Sequence, residues 1–277
     1  MQFTKWHGLG NDFVIVNGMK EHIADYHQQA LNICDRNFGI GADGLVVLLP
    51  SDIADFRMRI FNSDGSEADM CGNATRCVAR YLFENKITDK KIITLETLAG
   101  IITPELIFEN GNLVTVKVDM GEPRLKPVQI PVTISELEQV VHIPLNVDGE
   151  TYNITCVSMG NPHCVIFVDD INKVNLSSIG PKIETHPAFP KKTNVEFLQV
   201  IDRQTIRMRV WERGAGITKA CGTGASAALV AAVLNGHANR QATIILDGGN
   251  LFLEWADNNH IYKSGPAVEV FRGEYLL

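Results

Sequence analysis

The 277-residue chain predicts an α/β (α+β) fold of two pseudo-symmetric domains, each a curved, mostly antiparallel sheet wrapped around a central helix. Three observations carry that expectation. Asn11 and Asn161, Asn62 and Glu212, and Cys71 and Cys221 each stand 150 residues apart, which puts three matches in one register. Short β-branched runs bounded by turn residues recur through both halves, the pattern of strands rather than of a helical protein. Each half also carries one strong helix-like segment, and each such segment starts just after one of the paired cysteines.

In the first half the strand-like runs are "DFVIVN", "LVVLL", "FRMRIFN", "KIITLET" and "LVTVKVDM". The second half repeats the design with "ITCVSM", "HCVIFVDD", "NVEFLQV", "TIRMRVW" and "ATIILDG". The segment at 222–236, "GTGASAALVAAVLNG", is apolar almost all round, so it must be buried on every side, and its Asn-Gly ending is a good helix stop. Its counterpart at 72–86, "GNATRCVARYLFENK", is more amphipathic. Three prolines interrupt "DMGEPRLKPVQIP" at 119–131 and mark the boundary between the halves. The expected domains are therefore 1–119, joined by a returning C-terminal strand at 265–277, and 120–264.

Composition narrows the function. Hydrophobic content of 45% and charged content of 21% describe an ordinary folded globule. A net charge of −7 with no basic cluster beyond a Lys-Lys pair argues against nucleic acid, which needs a concentrated positive face. No apolar run approaches the ~20 residues that span a bilayer, and the N-terminus lacks a secretory pattern, so the expected setting is cytoplasmic with no membrane partner. No C-x-x-C pair and no H-E-x-x-H motif supplies metal-ligand spacing, so no metal and no cofactor is expected. "GIGADG" at 39–44 matches a dinucleotide-binding spacing. A helix-like stretch precedes it and a strand-like one follows, the reverse of the order that such a site needs.

Cys34, Cys77, Cys156 and Cys164 read as small core residues, since none begins a glycine-led helix. Cys71 and Cys221 differ. A thiol just before a helix faces unpaired N–H groups and the positive end of the helix dipole, which favour the thiolate. The amides of Gly72-Asn73 and Gly222-Thr223 can cradle a carboxylate. Two such cysteines facing one carbon suit inversion of a stereocentre, one removing a proton while the other delivers one to the opposite face. Arg213, between Glu212 and a Gly-Ala-Gly loop, suits bidentate capture of a second carboxylate. Asn62 and Asn161 fit turn chemistry as well as they fit a site, and His163 fits a core histidine equally well.

"FNSDGSEADMCGNATRCVARYL" and "VWERGAGITKACGTGASAA" resemble the two active-site signatures of the diaminopimelate epimerase family. "GLGNDFVIV", "GIGADGL", "SMGNPHCVIFVDD" and "ETHPAFPKKTNVEF" are similar to further blocks of that family, in order along essentially the whole chain. The resemblance implies a cofactor-independent epimerase that converts LL- to meso-diaminopimelate for lysine and peptidoglycan precursor synthesis. It implies Cys71 and Cys221 as the acid/base pair, with Gly72, Asn73, Gly222 and Thr223 holding the reacting carboxylate. Asn11, Asn62, Asn161, Asn194, Glu212 and Arg213 would line the pocket, and His163 and Glu212 would tune the thiols. A homodimer stands open as the assembly, with a small amino-acid substrate as the partner.

Four positions depart from the family pattern. Ala74 replaces a usual glycine, Ser226 stands where "GACA" is common, and Ile217 and Gly44 lie where many members carry Glu and Gln. The competing reading is a racemase of another amino acid on the same fold, such as histidine, which would have no need of Arg213. A non-enzymatic amino-acid-binding protein would need no matched thiols. A protein that cycles a Cys71–Cys221 disulfide is a third alternative, in which oxidation would be function and not inactivation.

Overall fold

The computed structural model describes residues 1–134 and 138–276. The chain divides into two compact units, Met1–Asp119 with Ser264–Leu277, and Met120–Lys263.

In chain order the first unit begins with β1 (Gln2–Gly8), β2 (Asn11–Asn17), α1 (Tyr26–Cys34), β3 (Gly44–Leu49), β4 (Phe56–Asn62), β5 (Glu67–Ala68) and α2 (Gly72–Glu84). It continues with β6 (Leu95–Thr97), β7 (Gly100–Ile102), β8 (Glu105–Glu109) and β9 (Asn112–Asp119). The second unit holds β10 (Ile143–Val147), β11 (Glu150–Ser158), β12 (Pro162–Phe167), α3 (Leu176–Glu184), β13 (Asn194–Asp202), β14 (Thr205–Glu212), β15 (Gly216–Ile217) and α4 (Gly222–Leu234). It ends with β16 (Gln241–Leu246), β17 (Gly249–Trp255) and β18 (Ile261–Gly265), after which β19 (Val268–Glu274) pairs antiparallel with β1 in the first unit.

The register of 150 holds at the level of hydrogen-bonded pairs. Phe13 lies opposite Gly44 in the parallel β2–β3 pair, and His163 lies opposite Asn194 in the parallel β12–β13 pair. Leu45 faces Phe61 across β3–β4, as Val195 faces Trp211 across β13–β14. Most other pairings are antiparallel, with β4–β6 and β14–β16 as further parallel joins.

Each sheet has two different faces, because alternate side chains of a strand point to opposite sides. In the first unit Val14, Val16, Leu45, Val47 and Phe61 pack with Ala30, Ile33 and Cys34 of α1. Trp6 points the other way and meets Tyr81 of α2 edge-on. In the second unit Ile154, Cys156, Cys164, Val195 and Phe197 pack with Leu176 and Ile183 of α3.

The opposite face of the second sheet holds α4. This helix has no polar side, and Ala225 through Ala232 are all buried. It touches β11, β12, β13, β14, β16 and β17. Six strands at ~4.8 Å spacing span about 24 Å in a flat sheet, more than twice the ~10 Å width of a helix. Contact with all six therefore requires the sheet to bend around α4, as an all-apolar helix demands. At its end Asn235 donates its N–H to the Ala231 carbonyl, and Gly236 turns the chain with φ +72°.

The helix α3 was not legible in "LSSIGPKIE", where Gly-Pro reads as a break. It forms because Leu176 and Ile183 bury against the sheet and because Gly180 lets it approach Trp211 closely. A Cβ on Gly180 would sit 2.6 Å from Trp211 Cγ. Gly180→Ala should cost roughly 1–3 kcal/mol by overpacking, read as a lower urea midpoint for unfolding. An unchanged midpoint would contradict this packing.

Candidate active site

The first half-site is built on the start of α2. Cys71 is its N-cap residue, in extended conformation, and makes no side-chain capping bond. Its Sγ instead lies 3.8 Å from Asn11 Oδ1, which also accepts from Asn73 Nδ2 at 3.0 Å. Asn11 is fixed in that orientation because its Nδ2 donates to Asp43 Oδ2 at 2.7 Å. Asp43 pairs with Arg36, and Arg36 pairs with Asp12, which also meets Lys5 Nζ at 2.8 Å. Burial alone would raise the Asp12 carboxyl, but Arg36 and Lys5 hold it down at about 2.

Beneath α2 lies a residue that the motif reading passed over. Arg76 is fully buried, its Nη1 donating to the Gly72 carbonyl at 3.4 Å and its Nε to the Pro266 carbonyl at 3.3 Å. Gly8 must lack a side chain here, since a Cβ would come 2.9 Å from Arg76 Nη2. Nothing in local sequence marks an arginine in mid-helix as buried. Asn62 donates to Ser66 Oγ at 2.9 Å.

The second half-site repeats the plan with different chemistry. Cys221 is the N-cap residue of α4, and its Sγ accepts the Gly224 N–H at 3.3 Å. Asn161 Nδ2 donates to Thr223 Oγ1 at 3.3 Å, as its register counterpart Asn11 meets Asn73. Thr223 Oγ1 lies 3.6 Å from Cys221 Sγ. His163 is fully buried, with Nε2 3.0 Å from Asn161 Oδ1 and Nδ1 2.7 Å from Glu196 Oε1.

Asn194 and Arg213 form a second group. Asn194 Oδ1 accepts the Arg213 backbone N–H at 2.9 Å, and its Nδ2 donates to the Pro162 carbonyl at 2.8 Å. Arg213 Nη1 donates to the Lys191 carbonyl at 3.1 Å. Glu212 accepts a short bond from the Thr218 hydroxyl. A Cβ on Gly222 would collide with Lys263 Nζ. Glu196 lies in the block "ETHPAFPKKTNVEF" but has no role assigned to it there, and Lys263 carries no motif signal. A buried acid within "NVEFLQV" and a buried lysine within "IYKSG" become visible only once the sheet is folded.

The expectation of a lowered pKa at both helix starts needs correction at Cys221. Burial is the largest influence and pushes this thiol well above its ordinary value. The negative charge of Glu212 pushes it further, and the Thr223 hydroxyl and Gly224 N–H offset only part of the rise. Burial also pushes Cys34 and Cys77 up to about 12, in keeping with core positions. Titration of thiolate absorbance, wild type minus Cys221→Ser, should therefore show Cys221 ionising only above the ~8.5 of an ordinary cysteine. A Cys221 thiolate already present at pH 7 would contradict this balance.

This two-unit fold is shared with PhzF-type proteins and imino-acid epimerases. A phenazine biosynthesis protein of the PhzF family from Bacillus anthracis superposes with a TM-score of 0.72 at 19% identity, over 100% of this chain and 99% of its own. A hydroxyproline epimerase from Agrobacterium vitis gives 0.66 at 15% identity, over 99% and 91%. Sequence narrows the class to one family. The family model for diaminopimelate epimerase matches residues 3–126 and 155–270, and the chain belongs to that family. A diaminopimelate epimerase of Pelotomaculum thermopropionicum is 58% identical over 277 residues, 99% of each chain. One of Methanococcus maripaludis is 54% identical over 275 residues, again 99% of each.

Proposed function

We propose that the protein converts LL- to meso-diaminopimelate, a lysine precursor, in the cytoplasm, by a two-base mechanism in which Cys71 and Cys221 act on opposite faces of the α-carbon. The observation that carries this reading is the repeated half-site. Two 13-residue helices begin 150 residues apart, each with a cysteine at its N-cap and an asparagine bonded to its second helical residue.

In the forward step one sulfur, as thiolate, takes the α-proton, and the electron pair stays on carbon and spreads into the carboxylate. The other sulfur, as thiol, gives its proton to the opposite face, so the two exchange protonation states in each turnover. Burial, with the Glu212 charge adding to it, raises the Cys221 thiol, which suits it to deliver the first proton. The N–H groups at the first turns of α2 and α4, unpaired within their helices, are aimed where negative charge builds on the carboxylate. Arg213, anchored on the Lys191 carbonyl, presents its guanidinium fork to the distal carboxylate.

The reading is tested by separating the isomers formed from LL-diaminopimelate. Cys71→Ser and Cys221→Ser should each lower kcat by roughly 10²- to 10⁴-fold, the range for a positioned acid or base, with circular dichroism unchanged. Arg213→Ala should raise KM by about 10-fold or more, the loss of a charged hydrogen-bonded pair. Full turnover in either serine variant would sink the two-thiol mechanism. An unchanged KM in Arg213→Ala, or turnover of an amino acid with no distal carboxylate, would move the chain to another racemase.

A further inference from the structure

Behind Cys221 stands an acid to which the sequence blocks assign no role. Glu196, on β13, is fully buried, and its Oε2 has no hydrogen-bond partner among the described residues. A Cβ placed on Gly224 would lie 2.7 Å from Glu196 Oε1 and 3.1 Å from Cys221 Sγ. The carboxyl and the sulfur thus flank the same point, and only glycine fits between them.

The hydrogen bonds around Glu196 have a direction. Asn161 Nδ2 donates to Thr223 Oγ1, so Asn161 Oδ1 is the acceptor, and His163 Nε2 must carry the hydrogen between them. A neutral ring with its hydrogen on Nε2 accepts at Nδ1, so Glu196 Oε1, 2.7 Å away, donates to it as the protonated acid. Thr223 Oγ1 already accepts from Asn161, so its own hydrogen points to Cys221 Sγ.

We propose that Glu196 is a positioning residue for Cys221. By donating to His163 Nδ1 as a protonated acid it pins the ring hydrogen on Nε2, and the chain His163–Asn161–Thr223 then donates toward the sulfur, where negative charge appears once the proton has left. Burial raises the Glu196 carboxyl, in keeping with an acid that holds its proton. The first unit has no such device. The register counterparts of His163, Glu196 and Gly224 are Phe13, Val46 and Ala74. At the counterpart of Gly224, Ala74 thus carries a Cβ.

This inference rests on reading Cys221 as one of the two acid/base residues, and its test is separable from that reading. Glu196→Val installs the residue of the other half, and Glu196→Gln keeps a donor facing Nδ1. In ¹⁵N-histidine NMR of the full chain, the wild type and Glu196→Gln should show His163 with its hydrogen on Nε2, while Glu196→Val should populate both tautomers. Glu196→Val should lower kcat by roughly 10- to 100-fold, with KM within about threefold. Glu196→Gln at equal melting temperature should recover to within about threefold of wild type. An unchanged tautomer in Glu196→Val overturns the proposal, as does an unchanged kcat or an equal loss in both variants. A wild type without epimerase activity would remove the function while the tautomer result still judged Glu196.

Discussion

The four N–H groups that open any helix have no partner inside it, and both half-sites are organised around that deficit. At α4 the deficit is partly met by Cys221 itself, whose sulfur accepts the Gly224 N–H. At α2 the sulfur of Cys71 makes no such bond and turns to Asn11. The remaining amides of the first turns lie on Gly72 and Asn73 and on Gly222 and Thr223, beside Cys71 and Cys221 respectively. The sheets serve this arrangement. They bury one all-apolar helix and one amphipathic one, and the paired strands deliver Asn11 and Asn161 to the same side of each cap.

The duplication repeats geometry and not charge. Around Cys71 the buried cation Arg76 lies under the helix start, and the Lys5–Asp12–Arg36–Asp43 network fixes Asn11 from behind. Around Cys221 two acidic residues and a buried histidine do the equivalent work, with Lys263 against Gly222. Such a difference suits the chemistry. A reaction that is nearly symmetric still needs one sulfur protonated and one not at the start of each turn, and identical surroundings would give no preference.

Much of this was legible in the chain. The offset of 150 residues, the strand-rich halves and the two helices that follow Cys71 and Cys221 could all be read from short patterns, because each depends on local periodicity or on one repeated motif. Asn11, Asn73, Asn161 and Thr223 were visible for the same reason. Less visible was everything that depends on what faces what across a sheet. Glu196 sits in an apolar run that reads as an ordinary strand, and its importance comes from His163 on the neighbouring strand, 33 residues away. Arg76 looks like a solvated helix charge until α2 is packed, and α3 is hidden by its Gly-Pro. The inverted thiol shift at Cys221 has the same origin. A helix terminus is a local feature, whereas burial and the approach of the Glu212 charge are tertiary ones, and here the tertiary terms win.

The central claim is that two sulfurs, and not one, handle the proton. It is tested most directly by running the reduced protein in D₂O with LL-diaminopimelate and stopping the reaction early. With two bases the product should carry deuterium at the inverted carbon while the recovered substrate keeps its protium, because the proton removed on one face is not the one delivered on the other. Early deuterium in the recovered substrate at the same rate as in the product, or a product that retains the substrate's own proton, would contradict the account.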